Sequence, residues 1–269
     1  NVGMIGNLSV TASLAQGDYI WILGDDDLIL DETPGLILNE IINNKGIDLL
    51  YLNYAYVTES AADKVKNLEE FLQSAIPISD NKKNMKGKIS DIATQSENFF
   101  TAIYCIVFRR DHALRAYSQF TDELPFTSMK SIVPTSFYVI NNLMNLSGIW
   151  IGKPLVIVNM NVSWMQYADL WILERLPEVF DAAELNGSDP ILVDKYRINL
   201  LNNVSIYFEK ILDKESKNYD YFSILRFYSR FKHLDEFSRI KSNLDNIIIS
   251  AIKKNKIDET NEISYFLSI

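Results

Sequence analysis

Apolar residues recur at helical spacing near the start of the chain, at Met4, Ile5, Leu8, Ala12 and Ala15, and predict a helix over residues 1–16. Gly17-Asp18 then reads as a helix stop and turn. Tyr19-Ile20-Trp21-Ile22-Leu23 is apolar without polar alternation, the pattern of a strand buried on both faces of a parallel sheet. Gly24 frees the backbone at the strand end, and Asp25, Asp26 and Asp27 follow. Asp31-Glu32-Thr33-Pro34 predicts a helix start, with Thr33 as N-cap and Pro34 at the first helical position, running to about Asn44. Gly46-Ile47-Asp48 leads into a second strand, Leu49 to Val57.

Residues 58–98 are polar and include the basic run Asn81 to Lys88, which reads as a mobile loop, or functionally as a contact for an anionic acceptor or lipid headgroup. Further strands are predicted over Ala102 to Phe108, over Ile149 to Ile151 and, beyond Gly152-Lys153-Pro154, over Leu155 to Val162. A helix is predicted over Pro134 to Asn145. From Met165 the pattern is helical. Leu170, Leu173, Leu176 and Phe180 mark one face, with Pro177 placed to kink or divide the segment. Pro190 starts a long amphipathic helix with Leu200, Val204, Phe208 and Ile211 on one face, and two more helices cover Tyr219 to Phe231 and Leu234 to Lys254. The reading is a mixed α/β domain over residues 1–164 followed by an all-helical region over 165–269.

Composition narrows the classes. Of the 269 residues 48% are hydrophobic, enough for a sizeable core and far from a disordered chain. The net charge of −9 lacks the basic balance that a duplex nucleic-acid binder carries, so nucleic acid is not an expected partner. With one cysteine, Cys105, no intramolecular disulfide forms, and its apolar surroundings make it a packed hydrophobe. No apolar run reaches the roughly 18–20 residues needed to span a bilayer. The Asn-x-Ser triplets at Asn7, Asn145, Asn161, Asn186 and Asn203 are what an Asn- and Ser-rich chain makes by chance.

Three carboxylates directly after a buried strand repel one another unless a cation neutralises them. In open α/β sheets ligands bind beyond the carboxyl ends of strands, where this triplet stands. An oxygen-only donor set suits Mg²⁺ or Mn²⁺, which take one or two carboxylates together with substrate phosphates. An acidic triplet by itself also serves as a turn or a helix cap.

The flanking residues weigh in favour of chemistry. Asn1-Val2-Gly3-Met4-Ile5-Gly6-Asn7, then Ala15-x-Gly17-Asp18-Tyr19 and the strand running into Asp25-Asp26-Asp27, resemble the centre of family 2 glycosyltransferases. That family has an N-x-G-x-x-x-N helix, an A-x-G-[DE]-[YF] turn, a hydrophobic strand and the acidic DxD motif. A looser resemblance runs through Phe108-Arg109-Arg110-Asp111, Ile149 to Pro154, Asn161 to Trp164 and Leu170-Trp171, and is similar to a bacterial surface-polysaccharide subgroup. The resemblance implies a GT-A fold, a mixed Rossmann-like sheet. The activity it implies is metal-dependent transfer of a sugar, as a rule with inversion, from a nucleotide-diphosphate sugar to a hydroxyl of a glycan or lipid-linked acceptor. It places the chain in the cytoplasm, at the inner face of the membrane where such acceptors are built.

Carried over by position, Asp26 is the metal-binding carboxylate, Asp25 lies by the donor ribose or shares the metal, and Asp27 is a second metal-sphere ligand or closes the turn. The family's first strand and uracil-binding loop are expected upstream of Asn1, so the domain reads as N-terminally incomplete. Inverting members set a catalytic aspartate at a helix start after the acceptor loop. In this chain the nearest carboxylates are Asp122 and Glu123, whose simpler reading is an exposed acidic loop.

His112 and His233 are the two histidines; His112 reads as a surface or turn residue, and neither has a hydrolase motif around it. Trp164 and Trp171 serve either the core or a sugar-stacking face. The helical region reads as a packing and self-association appendage, or as the part that meets the acceptor or membrane. Two other functions fit in part. A haloacid-dehalogenase-like phosphatase would use Asp25 and Asp27, but Ile29 stands where that family has Thr or Val. A carbohydrate-binding module derived from a transferase needs no base at all.

Overall fold

The structure, a computed structural model, describes residues 3–25, 27–57, 67–118, 126–159, 163–254, 256–258, 260, 263 and 267. The protein is mixed α/β and divides into two compact units. The first takes Asn1–Asp122, Val133–Val162 and Ala182–Asp189; the second takes Glu123–Ile132, Ser163–Asp181 and Pro190–Ile269.

In chain order the first unit holds α1 (Gly3–Leu14), β1 (Tyr19–Trp21), β2 (Leu28–Ile29), α2 (Thr33–Asn43), β3 (Leu49–Val57), α3 (Leu68–Ser74) and β4 (Ile76–Pro77). It continues with β5 (Met85–Lys88), α4 (Ile89–Ala93), β6 (Ile106–Arg109), α5 (Arg110–Tyr117), α6 (Pro134–Asn142) and β7 (Ser147–Asn159). One sheet runs β1-β6-β3-β7-β2, with β4 added to β3 and β5 to β7. Its centre is β3, whose aliphatic and aromatic side chains are buried at every position except the partly buried Tyr56. A strand of this composition is stable only between neighbours on both sides. It has them in β6, antiparallel, and β7, parallel. Tyr51 and Trp150 meet edge to face across the β3–β7 pair at 5.2 Å.

The neighbour of β1 corrects one expectation. The apolar run is a strand, but it pairs antiparallel with β6, Ile20 opposite Phe108. Nor is it buried on both faces: β1 is three residues long at the end of the strand order, with Ile20 buried and Tyr19 and Trp21 only partly so. Because β1 and β3 both oppose β6, they point the same way, and β7 points with β3. All three therefore run toward the same side of the sheet, β1 ending level with Leu50 and β3 running on to Val57 beside Asn159 of β7.

The polar stretch over residues 58–98 holds α3, β4, β5 and α4 among its described residues. Its basic run becomes an edge strand: β5 pairs with β7, and Lys86 reaches the Asn44 side chain at 3.1 Å while Asn84 donates to Glu40 at 3.0 Å. Lysines on an edge strand discourage further pairing. Thr33 is not the N-cap; Glu32 holds that position, and the buried Thr33 hydroxyl donates to the Leu155 carbonyl at 3.0 Å. The two strands predicted over 149–162 are one strand interrupted by a bulge. Register shifts between Leu52 and Tyr54 where Gly152-Lys153-Pro154 bows out. Asn53 fills the gap, donating to the carbonyls of Ser79 and Gly152, both at 2.9 Å.

The second unit is helical. A helical run begins at Ala168, passes through a π-helical stretch, Trp171–Arg175, and continues as α7 (Leu176–Leu185), within which the boundary between units falls after Asp181. Pro177 has no N–H for the Leu173 carbonyl, and just before it the Leu176 N–H reaches back to Trp171. Next come α8 (Pro190–Leu201), α9 (Val204–Ile211), α10 (Ile224–Phe231) and α11 (Asp235–Lys253). The single helix expected from Pro190 breaks into α8 and α9 at Asn202-Asn203, whose N–H groups turn back to Asn199 and Leu200. Val204, Phe208 and Ile211 are buried in a core with Phe227, Phe231, Phe237, Leu244 and Ile248. Phe227 packs on Phe208 and Phe231 with ring centroids 5.0 and 4.6 Å apart. Among the described residues no helix is long and apolar enough to cross a membrane.

Candidate functional site

The acidic turn stands at the carboxyl end of β1. Ile20 anchors the strand in the core, and the Trp21 indole N–H donates to the Tyr104 carbonyl at 2.8 Å. The chain then turns, and the Gly24 N–H donates to Asp27 Oδ2 at 3.0 Å. Asp27 thus faces back into the turn, while Asp25 is exposed at its tip. The Asp27 charge also bears on Tyr104 and Cys105. Burial pushes both the phenol and the thiol up, and the carboxylate adds to it. Asp26, the residue the family pattern makes the leading metal ligand, lies outside the described residues.

The loop entering β6 flanks this turn. Phe99 and Phe100 are fully buried at φ 43° and 66°, in the left-handed region that bulky residues avoid. Three contacts hold them there. The Tyr51 hydroxyl donates to the Asn98 side chain, the Phe100 N–H donates to Tyr51 at 3.3 Å, and the Ser136 hydroxyl donates to the Phe100 carbonyl at 2.5 Å. This loop carries Glu97. Glu97 is exposed, and partial burial of its carboxyl holds its pKa above the ordinary value. Glu97 bears on the Tyr54 hydroxyl, Tyr54 meets Tyr104 edge to face at 5.2 Å, and Asp27 bears on Tyr104. The two tyrosines lie between the two carboxylates.

Glu97 was not singled out by sequence reasoning, because nothing in Gln95-Ser96-Glu97-Asn98 marks it before the loop is folded. Asp122 and Glu123 lie outside the described residues, as do the side chain of Trp164 and residues 160–162. The helix start at Pro134-Thr135-Ser136 is buried and carries no acid. His112 is not a surface residue: on α5 it is largely buried, with Nε2 3.6 Å from Asp48 Oδ1. That pair lies where β3 begins, at the edge of the sheet opposite the acidic turn. Cys105 is buried as expected. Trp171 is half-buried within the π-helical stretch of the second unit.

Among the described residues no three His, Cys, Asp or Glu side chains cluster to hold a metal ion by themselves. Of the acidic turn, Asp25 is presented to solvent, whereas Asp27 turns back to the Gly24 N–H. The chain matches no protein-family model and no curated protein.

Proposed function

We propose that the protein is a GT-A glycosyltransferase that moves a sugar from a nucleotide-diphosphate sugar to a hydroxyl of a glycan or lipid-linked acceptor. The setting is bacterial surface-polysaccharide synthesis, at the cytoplasmic face of the membrane. The observation that carries the reading is the turn closed by Gly24 and Asp27 beyond the end of β1, which leaves Asp25 exposed after a strand that runs the same way as β3 and β7. Ligands of open α/β sheets bind beyond the carboxyl ends of strands.

In this reading Asp25 and Asp26 hold Mg²⁺ or Mn²⁺ against the donor diphosphate, and Asp27 keeps the turn in shape through Gly24. The ion, when bound, offsets the charge that develops on the leaving diphosphate. Glu97 takes the proton of the acceptor hydroxyl. A carboxyl whose pKa is raised is a stronger base once ionised, and burial raises that of Glu97. Asp122 and Glu123 remain the carboxylates to compare it with. Attack by the deprotonated hydroxyl on the anomeric carbon forms the new glycosidic bond as the bond to the diphosphate oxygen breaks, with inversion.

Product identity tests the reading. The full-length protein, given sugar nucleotides and acceptor glycans, is expected to yield nucleoside diphosphate and an extended glycan. Inorganic phosphate with a phosphorylated Asp25 would instead assign a phosphatase.

A further inference from the structure

The second unit contains a cavity of about 330 Å³ whose wall includes the end of the π-helical stretch. We infer that this cavity is a saccharide site, taking one neutral hexose-type ring by its hydroxyls. The site is independent of the acidic turn and of the transferase reading.

Glu174 and Arg175 close the π-helical stretch and line the cavity together. Such single-turn insertions recur at functional sites, because they rotate side chains out of the regular helical register. Glu174 is 1% exposed, and its Oε1 receives the Arg226 Nε–H and, at 2.8 Å, the Arg230 Nη1–H. Its Oε2 is buried without a hydrogen-bond partner among the described residues. An unpartnered buried carboxylate oxygen calls for a donor from outside the protein. Arg226, 49% exposed against 14% for Arg230, is the more exposed of the two arginines on Glu174.

A second strained point adjoins the cavity. Phe126 adopts φ 69°, its carbonyl accepts from Arg175 Nε at 3.0 Å, and its ring stacks on Tyr167 at 4.1 Å. Backbone strain of this kind persists where surrounding structure holds a ligand clamp in place.

The chemistry of the lining selects the ligand class. Three guanidinium groups, Arg175, Arg226 and Arg230, face three carboxylates, Glu174, Glu178 and Asp220, so the formal charge is zero. Glu178 is already held by Arg175 at 2.6 Å. A lone anion meets three carboxylates there, and a lone cation meets three guanidinium groups. Unused hydrogen-bonding capacity nevertheless remains on both sides. Among the described residues Arg226 Nη1, Arg230 Nη2 and the Asp220 carboxylate make no hydrogen bond. A hydroxyl both donates and accepts, so a ring of hydroxyls answers both kinds of group without bringing charge. Tyr221 contributes its carbonyl, which accepts from Arg175 Nη2 at 3.4 Å and from Arg226 Nη2 at 3.5 Å. The volume lies at the small end of ligand pockets, about 300–1,000 Å³, which matches one ring.

The test is saturation-transfer NMR on the full chain with the methyl glycosides of glucose, galactose and N-acetylglucosamine, and with glycine and inorganic phosphate as contrasts. At least one glycoside is expected to bind. Arg226→Ala and Asp220→Ala should each weaken it about tenfold, the loss of one charge-assisted hydrogen bond. Asp220 is exposed, so an unchanged melting temperature in that variant shows that weakening is not unfolding. Absence of transfer to all three glycosides overturns the assignment. So does binding unaffected by the Asp220 change, or tighter binding of glycine or phosphate than of every glycoside.

Discussion

Ser136 donates its hydroxyl to the carbonyl of Phe100 at 2.5 Å, and both residues are fully buried. The start of helix α6, where the resemblance would set a catalytic acid, instead pins the strained loop that carries Glu97. Ser136→Ala leaves a buried carbonyl unpaired, which costs about 1–3 kcal/mol. The expected result is a lower melting temperature together with a fall in transfer rate. Rescue of both by Ser136→Thr would show that the hydroxyl is what matters.

Glu97 is expected to act only when ionised. Its pKa is raised by burial, so the rate should fall as pH drops through a value above the ordinary glutamate range. Glu97→Gln should lower kcat about 10²–10⁴-fold and abolish that acid limb. Retention of the limb in the Gln variant would move the base elsewhere, with Asp122→Asn and Glu123→Gln the next substitutions to assay.

Asn53 is fully buried and bridges the β7 bulge through Ser79 and Gly152. Asn53→Leu strands two carbonyls, and a cost of about 2–4 kcal/mol is expected from two unmade buried hydrogen bonds. Gly152→Ala brings a second conflict, since its Cβ would lie 2.4 Å from the Lys82 carbonyl carbon and 2.5 Å from the Asn81 oxygen. Denaturant titration of both variants should show the loss, and a stability equal to the parent protein would contradict the bulge account.

Cys105 should be inert in the native protein. Burial pushes its thiol well up, aided by the Asp27 charge, so almost no thiolate forms near neutrality. An aromatic disulfide reagent is expected to label it only after unfolding. Labelling at the rate of a free thiol under native conditions would place it on an open surface.

What the chain reveals before folding depends on how local each feature is. Strand β3 is legible to its ends because Leu49 to Val57 is apolar except for Asn53 and bounded by Asp48 and polar residues. Helices α1, α2 and α11 lie within the spans read from apolar spacing after Gly3, from the start signal at Pro34 and from the helical pattern after Leu234. Strand β5 is illegible, because Met85-Lys86-Gly87-Lys88 becomes a strand only through its pairing with β7. The acidic triplet announces itself through the strand before it. Glu97 does not, since the loop that carries it is set by contacts to Tyr51 and Ser136, which only the fold brings near. The cavity of the second unit is equally hidden: Glu174, Arg226 and Arg230 come from two helical segments far apart in sequence.

The central claim rests on the acidic turn, and release of nucleoside diphosphate from a panel of sugar nucleotides tests it most directly. The full-length protein would be assayed with Mn²⁺, with Mg²⁺ and with a chelator, as wild type and as Asp26→Ala. The account predicts metal-dependent release in the wild type and a rate about 10²-fold lower or less in the variant. Release that is unaffected by the chelator, or unchanged in Asp26→Ala, would contradict it.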